Sequence, residues 1–98
     1  MKREVGKRVY KEIAKLPLYA QIAAKTEMDK VKEAASFRAL FDVADVKHVE
    51  GTDEPYYRLK FGKYRYITYY SAEIEQLKII LLAHRKDAYK KQNQPWRW

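Results

Sequence analysis

The 98 residues include 47% apolar side chains, with nine Tyr, three Phe and two Trp, which suits one small domain with a packed core and excludes global disorder. Twenty-one Lys and Arg against 13 Asp and Glu leave +8 at pH 7, so an anionic partner is expected: nucleic acid, an acidic protein or an anionic membrane. The lack of Cys excludes a disulfide scaffold or a thiolate zinc site, and two isolated His make a poor metal site, so no metal or cofactor is expected.

Residues 1–8 are charged and lead into no apolar segment, so no secretory signal is expected. Residues 1–5 could add an edge strand. Val5, Val9, Ile13 and Leu16 recur at helical spacing and predict a first amphipathic helix. Pro17 lacks the N–H that a helix interior needs, so it ends this helix and can open the next. Ala20, Ala24, Met28, Val31 and Ala35 form the stripe of a second helix ending near Ser36, and the two predict a helical hairpin. Residues 37–55 read as irregular, with Phe37, Leu40 and Phe41 as apolar plugs and 51–55 as a loop.

Two Tyr-rich runs follow, 56–61 and 64–70, separated by Gly62-Lys63, a strong signal for a β-hairpin. Residues 77–83 read as a third strand buried on both faces. The apolar run 79–83 is far too short to cross a bilayer, and a soluble, cytoplasmic protein is expected. Residues 85–92 could form a short helix. The expected fold class is α+β: an N-terminal helical hairpin packed on a small antiparallel β-sheet, with a short C-terminal helix.

A two-residue turn at Gly62-Lys63 sets Lys60 opposite Arg65 and Arg58 opposite Ile67. Alternation then puts Tyr57, Leu59, Phe61, Tyr64 and Tyr66 on a face suited to the helices. Arg58, Lys60, Arg65, Ile67 and Tyr69 share the other. Like charges directly opposed are destabilising, so Lys60 against Arg65 calls for a nearby carboxylate or an anionic ligand. Counting by two from Ile79 through Leu81 and Ala83 brings Arg85 to one face at the end of the third strand. His84 has the opposite parity and is expected to pack or cap. From residue 85 onward five cations (Arg85, Lys86, Lys90, Lys91, Arg97) against Asp87 give +4, and Tyr89 follows Arg85 by four.

In combination, residues 57–67 (Tyr-Arg-Leu-Lys-Phe-Gly-Lys-Tyr-Arg-Tyr-Ile), the apolar strand and the ending His84-Arg85-Lys86-Asp87-Ala88-Tyr89-Lys90 resemble the RelE/ParE superfamily of bacterial toxin–antitoxin toxins. Lys15-Leu16-Pro17 between the helices fits as well. The resemblance covers residues 1–92, the expected toxin domain, and leaves 93–98 as an aromatic and basic tail. It implies a ribosome-dependent endoribonuclease that cleaves mRNA through attack of a ribose 2′-OH on the adjacent phosphate, without a metal. By position it implies Lys60 as general base, Arg65 as the phosphate-steadying arginine and Arg85 as the group facing the leaving 5′-oxygen. Tyr89 is implied to stack on a base or orient the 2′-OH. Arg58, His84, Lys86 and Lys90 are expected to contact RNA around them.

Two departures stand out. The arginine-to-tyrosine spacing in the tail is shorter than in RelE itself. Glu50, Glu54 and His84 match poorly the glutamate and histidine pair that some relatives use. The resemblance implies a small acidic antitoxin encoded alongside, with which the chain would form a hetero-oligomer, and the 70S ribosome with its mRNA as target. Two other functions fit the same scaffold: a ParE-like non-enzymatic toxin that inhibits DNA gyrase, and an inactive RNA- or protein-binding module.

Overall fold

A computed structural model describes all residues, Met1–Trp98. In chain order it has β1 (Lys2–Val5), α1 (Lys7–Ala14), α2 (Leu18–Glu33), α3 (Phe37–Leu40), β2 (Asp45–His48), β3 (Tyr56–Phe61), β4 (Tyr64–Ser71) and β5 (Gln76–His84). Two 3-10 turns, Lys91–Asn93 and Pro95–Arg97, follow. The architecture is α+β, with three helices and one five-stranded sheet in the order β1-β5-β4-β3-β2. No helix is long and apolar enough to cross a membrane.

The β3–β4 hairpin has the register that its turn dictates. Gly62 takes the left-handed conformation (φ 58°), and Phe61 faces Tyr64, Lys60 faces Arg65, Leu59 faces Tyr66 and Arg58 faces Ile67. Leu59 and Tyr66 are fully buried beneath the helices, beside Val9, Ala24, Val31 and Leu40. The Tyr66 hydroxyl donates to the Ala24 carbonyl at 2.7 Å, which satisfies the one polar atom of a buried aromatic side chain and ties the sheet to α2. Burial, with the Glu27 carboxylate nearby, pushes its ionisation well above the ordinary tyrosine value.

The sheet is mixed, not antiparallel as expected. The edge strand expected at residues 1–5 forms, but it runs parallel to β5, with Lys2 beside Gln76 and Val5 beside Ile79. Three helices and three strands separate the two, ample chain for the crossover that parallel pairing requires. At Gly6 the backbone leaves the sheet for α1. A Cβ there would lie 3.3 Å from the carbonyl oxygens of Ile79 and Ile80, so any larger residue would need the β5 backbone to give by a few tenths of an ångström. Beyond Ile79, β5 loses its neighbour, and α1 covers the bare edge: the Glu12 carboxylate accepts the Leu82 N–H at 3.0 Å. Arg8 in turn holds Glu12 at 3.0 Å. α1 thus lies chiefly on β5, with fewer approaches to α2.

Three further expectations are corrected. Residues 37–55 are not wholly irregular: Ser36 caps α3 by accepting the Ala39 N–H at 3.1 Å, and β2 pairs antiparallel with β3. Four residues with alternating charge carry too little apolar pattern to announce an edge strand. The parity count along β5 fails at a β-bulge, because Ile67 pairs with Leu81 while Thr68 pairs with Ile79, leaving Ile80 extra. Leu77, Ile79 and Leu82 therefore join the helix-side core, whereas Leu81 and Ala83 join Ile67 and Ala88 in a second small core on the other face. The expected C-terminal helix is absent. Residues 85–90 form turns, with the Asp87 and Ala88 N–H groups both donating to the His84 carbonyl. Ala88 is drawn into the second core, and buried Asn93 donates to the Asp87 carbonyl at 2.8 Å, so tertiary bonds replace helical ones. Trp96 packs over this core and against Tyr56.

Candidate active site

The sheet face away from the helices gathers cations because register and alternation leave no other arrangement. Lys47 on β2 is directly opposite Arg58 on β3, and Lys60 on β3 is opposite Arg65 on β4. The tail folds back along the same face. Between them lies a cavity of about 470 Å³, bordered by Lys47, Arg58, Lys60, Arg65 and Glu50, with Tyr89, Gln94 and Trp96 on the tail side.

These cations are not equivalent. Arg58 is largely covered, its side chain 15% exposed, and pairs with Asp45 at 3.1 Å, so its charge is mostly spent internally. Arg65 donates to the carbonyls of Tyr64 (2.9 Å) and Gly62 (3.2 Å), which hold the guanidinium still without neutralising it. Lys60 has no carboxylate within ion-pair distance, although Asp45 occupies the opposed position on β2. Four cations against Asp45 and Glu50 leave a formal +2 on this face. A positive surface with one guanidinium held in place suits a phosphate group.

Of the residues singled out in the sequence, Arg58, Lys60, Arg65 and Tyr89 meet at this cavity. Tyr89 is half exposed at its border, and its carbonyl accepts from Gln94 Nε2 at 2.6 Å. Arg85 does not line the cavity. It is exposed at the end of β5, where its N–H donates to the Lys63 carbonyl at 2.7 Å beside the hairpin turn. His84 lies on the helix side, edge-on to Tyr64, and its Nδ1 accepts the Lys86 N–H at 3.1 Å, so it packs and caps rather than facing the cations. Lys86 is exposed outside the cavity. Lys90 is engaged with Asp87 at 2.7 Å, a hydrogen bond that holds the Asp87 carboxyl below its ordinary range. Glu54 also lies away from the cations; its carbonyl accepts from His48 Nε2 at 2.8 Å.

Sequence reasoning missed Lys47 and Gln94 and left Trp96 in a tail outside the resemblance. Lys47 was legible only through the alternation Val46-Lys47-His48, in a stretch otherwise read as irregular. The ring of His48, opposed to Tyr57, packs on the helix side.

No protein-family model and no curated relative matches the sequence. Solved structures do. A chain of the RelB–RelE antitoxin–toxin complex from Methanococcus jannaschii superposes with a TM-score of 0.70 at 21% identity, over 88% of this chain and 94% of that one. A chain of the archaeal RelE–RelB complex from Pyrococcus horikoshii OT3 gives 0.54 at 26% identity, over 86% and 93%. The architecture is the RelE-like fold.

Proposed function

We propose that this chain, which carries the RelE-like fold, is the toxin of a toxin–antitoxin pair and cleaves mRNA on the ribosome. The observation that carries this reading is the convergence of Lys47, Lys60 and Arg65 on one cavity with Tyr89 at its border. In the reaction the ribose 2′-oxygen bonds to the adjacent phosphorus and the bond to the 5′-oxygen breaks, leaving a 2′,3′-cyclic phosphate and a 5′-hydroxyl. Negative charge builds on the phosphoryl oxygens along this path. Arg65, already oriented by two carbonyls, stabilises that charge without reorganising, and Lys60 opposite it adds a second positive charge. Glu50 is the carboxylate at hand to accept the 2′-OH proton, Lys60 acts as a cation, and water supplies the proton that the departing 5′-oxygen takes up to become the 5′-hydroxyl. Tyr89 orients the nucleotide by stacking or through its hydroxyl. Arg85, outside the cavity, is assigned to a neighbouring phosphate rather than to the leaving oxygen. The ribosome supplies the alignment of the 2′-OH, so free RNA is a poor substrate.

The chain that would restrain this activity is a short acidic antitoxin. Leu18, Tyr19 and Ile22 are exposed on α2, an apolar strip on a chain of +8 that suits an amphipathic segment with acidic flanks. The experiment is brief induction in cells followed by mapping of RNA ends. New 5′-hydroxyl ends within translated messages are expected, and they vanish with Arg65→Ala. Intact transcripts accompanied by DNA breaks would support a gyrase poison instead.

A further inference from the structure

Past the basic cavity, the same sheet face carries a second concavity of about 420 Å³ whose walls include Tyr56, Tyr69, Ile80, Pro95 and Trp98. Its two charged residues, Glu54 and Lys78, cancel, so the lining is aromatic and close to neutral. The two hollows share a partition. Trp96 borders the basic cavity, Tyr56 borders the aromatic one, and their ring centres are 5.4 Å apart. On the tail, Gln94 belongs to the first and Pro95 to the second.

Several features of the second hollow suit a flat π-system. Tyr56 and Tyr69 meet edge to face at 5.0 Å, giving a firm aromatic wall. Trp98 is 66% exposed, an unusual cost for an indole with apolar surface near at hand. The Arg8 guanidinium lies 5.6 Å from the Trp98 ring centre and steadies it through a cation–π contact, with α1 as the anchor. A cationic groove that continues into exposed aromatic rings is how proteins hold single strands: phosphates take the charge and bases take the rings.

We propose that the aromatic hollow is a base-stacking subsite for a single-stranded RNA whose backbone phosphate occupies the basic cavity, with Trp98, Tyr56 and Tyr69 as its walls. The proposal rests on the RNA reading of the basic cavity. It gives the tail a role of its own, in gripping a nucleotide that flanks the scissile one.

The test is fluorescence anisotropy at low salt, with the full chain and two labelled tetranucleotides, oligoadenylate and the same strand with one flanking position abasic. Trp98→Ala is expected to weaken oligoadenylate binding roughly ten-fold, the scale of one stacked base, and to leave the abasic strand unchanged. Trp98→Phe should recover most of the loss, while Arg65→Ala weakens both strands. Equal weakening of both strands by Trp98→Ala, or none, overturns the subsite. If the wild-type chain binds oligoadenylate and Arg65→Ala abolishes this while Trp98→Ala does nothing, the subsite fails and the basic cavity stands. Absence of binding to either strand overturns the subsite together with direct RNA recognition by the free chain; mapping of RNA ends in cells then decides the nuclease reading separately.

Discussion

Lys60 on β3 stands directly opposite Arg65 on β4, and no carboxylate lies within ion-pair distance of either. Opposed like charges on neighbouring strands cost up to about 1 kcal/mol, and here the cost is borne in the resting protein. An anion between them relieves it. Inorganic phosphate should therefore raise the melting temperature. Lys60→Ala should raise it without phosphate, by about 2–4 °C for roughly 0.5 kcal/mol, and blunt the response to phosphate. Thermal melts of both proteins with and without phosphate decide this; a lower melting temperature for Lys60→Ala in plain buffer contradicts it.

Arg65 and Arg85 should fail differently. If Arg65 aims its charge at the reacting phosphate as proposed, Arg65→Ala should lower kcat on ribosome-bound mRNA by roughly 10²-fold with little change in KM. Arg85→Ala removes a contact outside the cavity and should raise KM while leaving kcat within a few-fold. Single-turnover cleavage at saturating ribosome complexes separates the two. Equal losses of kcat would return Arg85 to the leaving oxygen.

Lys47, legible in the sequence only through the alternation of β2, lends itself to a quantitative test. If it meets an RNA phosphate, Lys47→Ala should lower the slope of log affinity against log salt by roughly 0.7, the contribution of one single-strand phosphate. The wild-type slope must itself be steep. An unchanged slope would place Lys47 outside the RNA path.

Tyr66→Phe keeps the ring but deletes the hydroxyl that donates to Ala24, at a cost of about 1 kcal/mol in urea unfolding. The same hydroxyl sets a pH limit. Its ionisation is raised in the folded state, so its contribution is complete below about pH 10, the ordinary tyrosine value, and declines as pH rises beyond it. Tyr56, Tyr64 and Tyr70 are raised as well, so Tyr66→Phe should flatten the alkaline limb of stability without abolishing it. A limb as steep as wild type would sink this assignment.

The apolar strip on α2 is expected to serve the antitoxin and not the chemistry. Ile22→Glu, on an exposed side chain, should leave fold and toxicity intact yet let the toxin escape a co-expressed acidic neighbour. Growth assays with pull-down report both properties. Normal neutralisation of Ile22→Glu would move the partner's footprint elsewhere.

The hairpin was readable because Gly62-Lys63 fixes a register, and register with alternation fixes faces; Arg58, Lys60 and Arg65 follow without tertiary information. Alternation stopped helping at Ile80, since a bulge inserts a residue and reverses every face assignment before it, and no residue type announces it. β2 was hidden by its length of four and its charge, which are the properties that protect a sheet edge. The tail misled because its residues have fair helix propensity. Burial of Ala88 and the Asn93 bond to Asp87 override that propensity, and both depend on the finished sheet.

The parallel pairing of β1 with β5 also orders events in time. Lys2 and Gln76 are 74 positions apart in the chain yet adjacent in the sheet. During vectorial synthesis the first strand must therefore wait, unpaired, until nearly all the others have been made, a late and entropically costly closure. The groups that wall the cavity on its open side, Tyr89, Gln94 and Trp96, come later still. A nascent chain that has reached the hairpin already holds Lys60 and Arg65 but lacks the cavity around them. On the proposed nuclease reading, a ribosome translating this message is thus shielded from the product until the segment through Trp96 has been made.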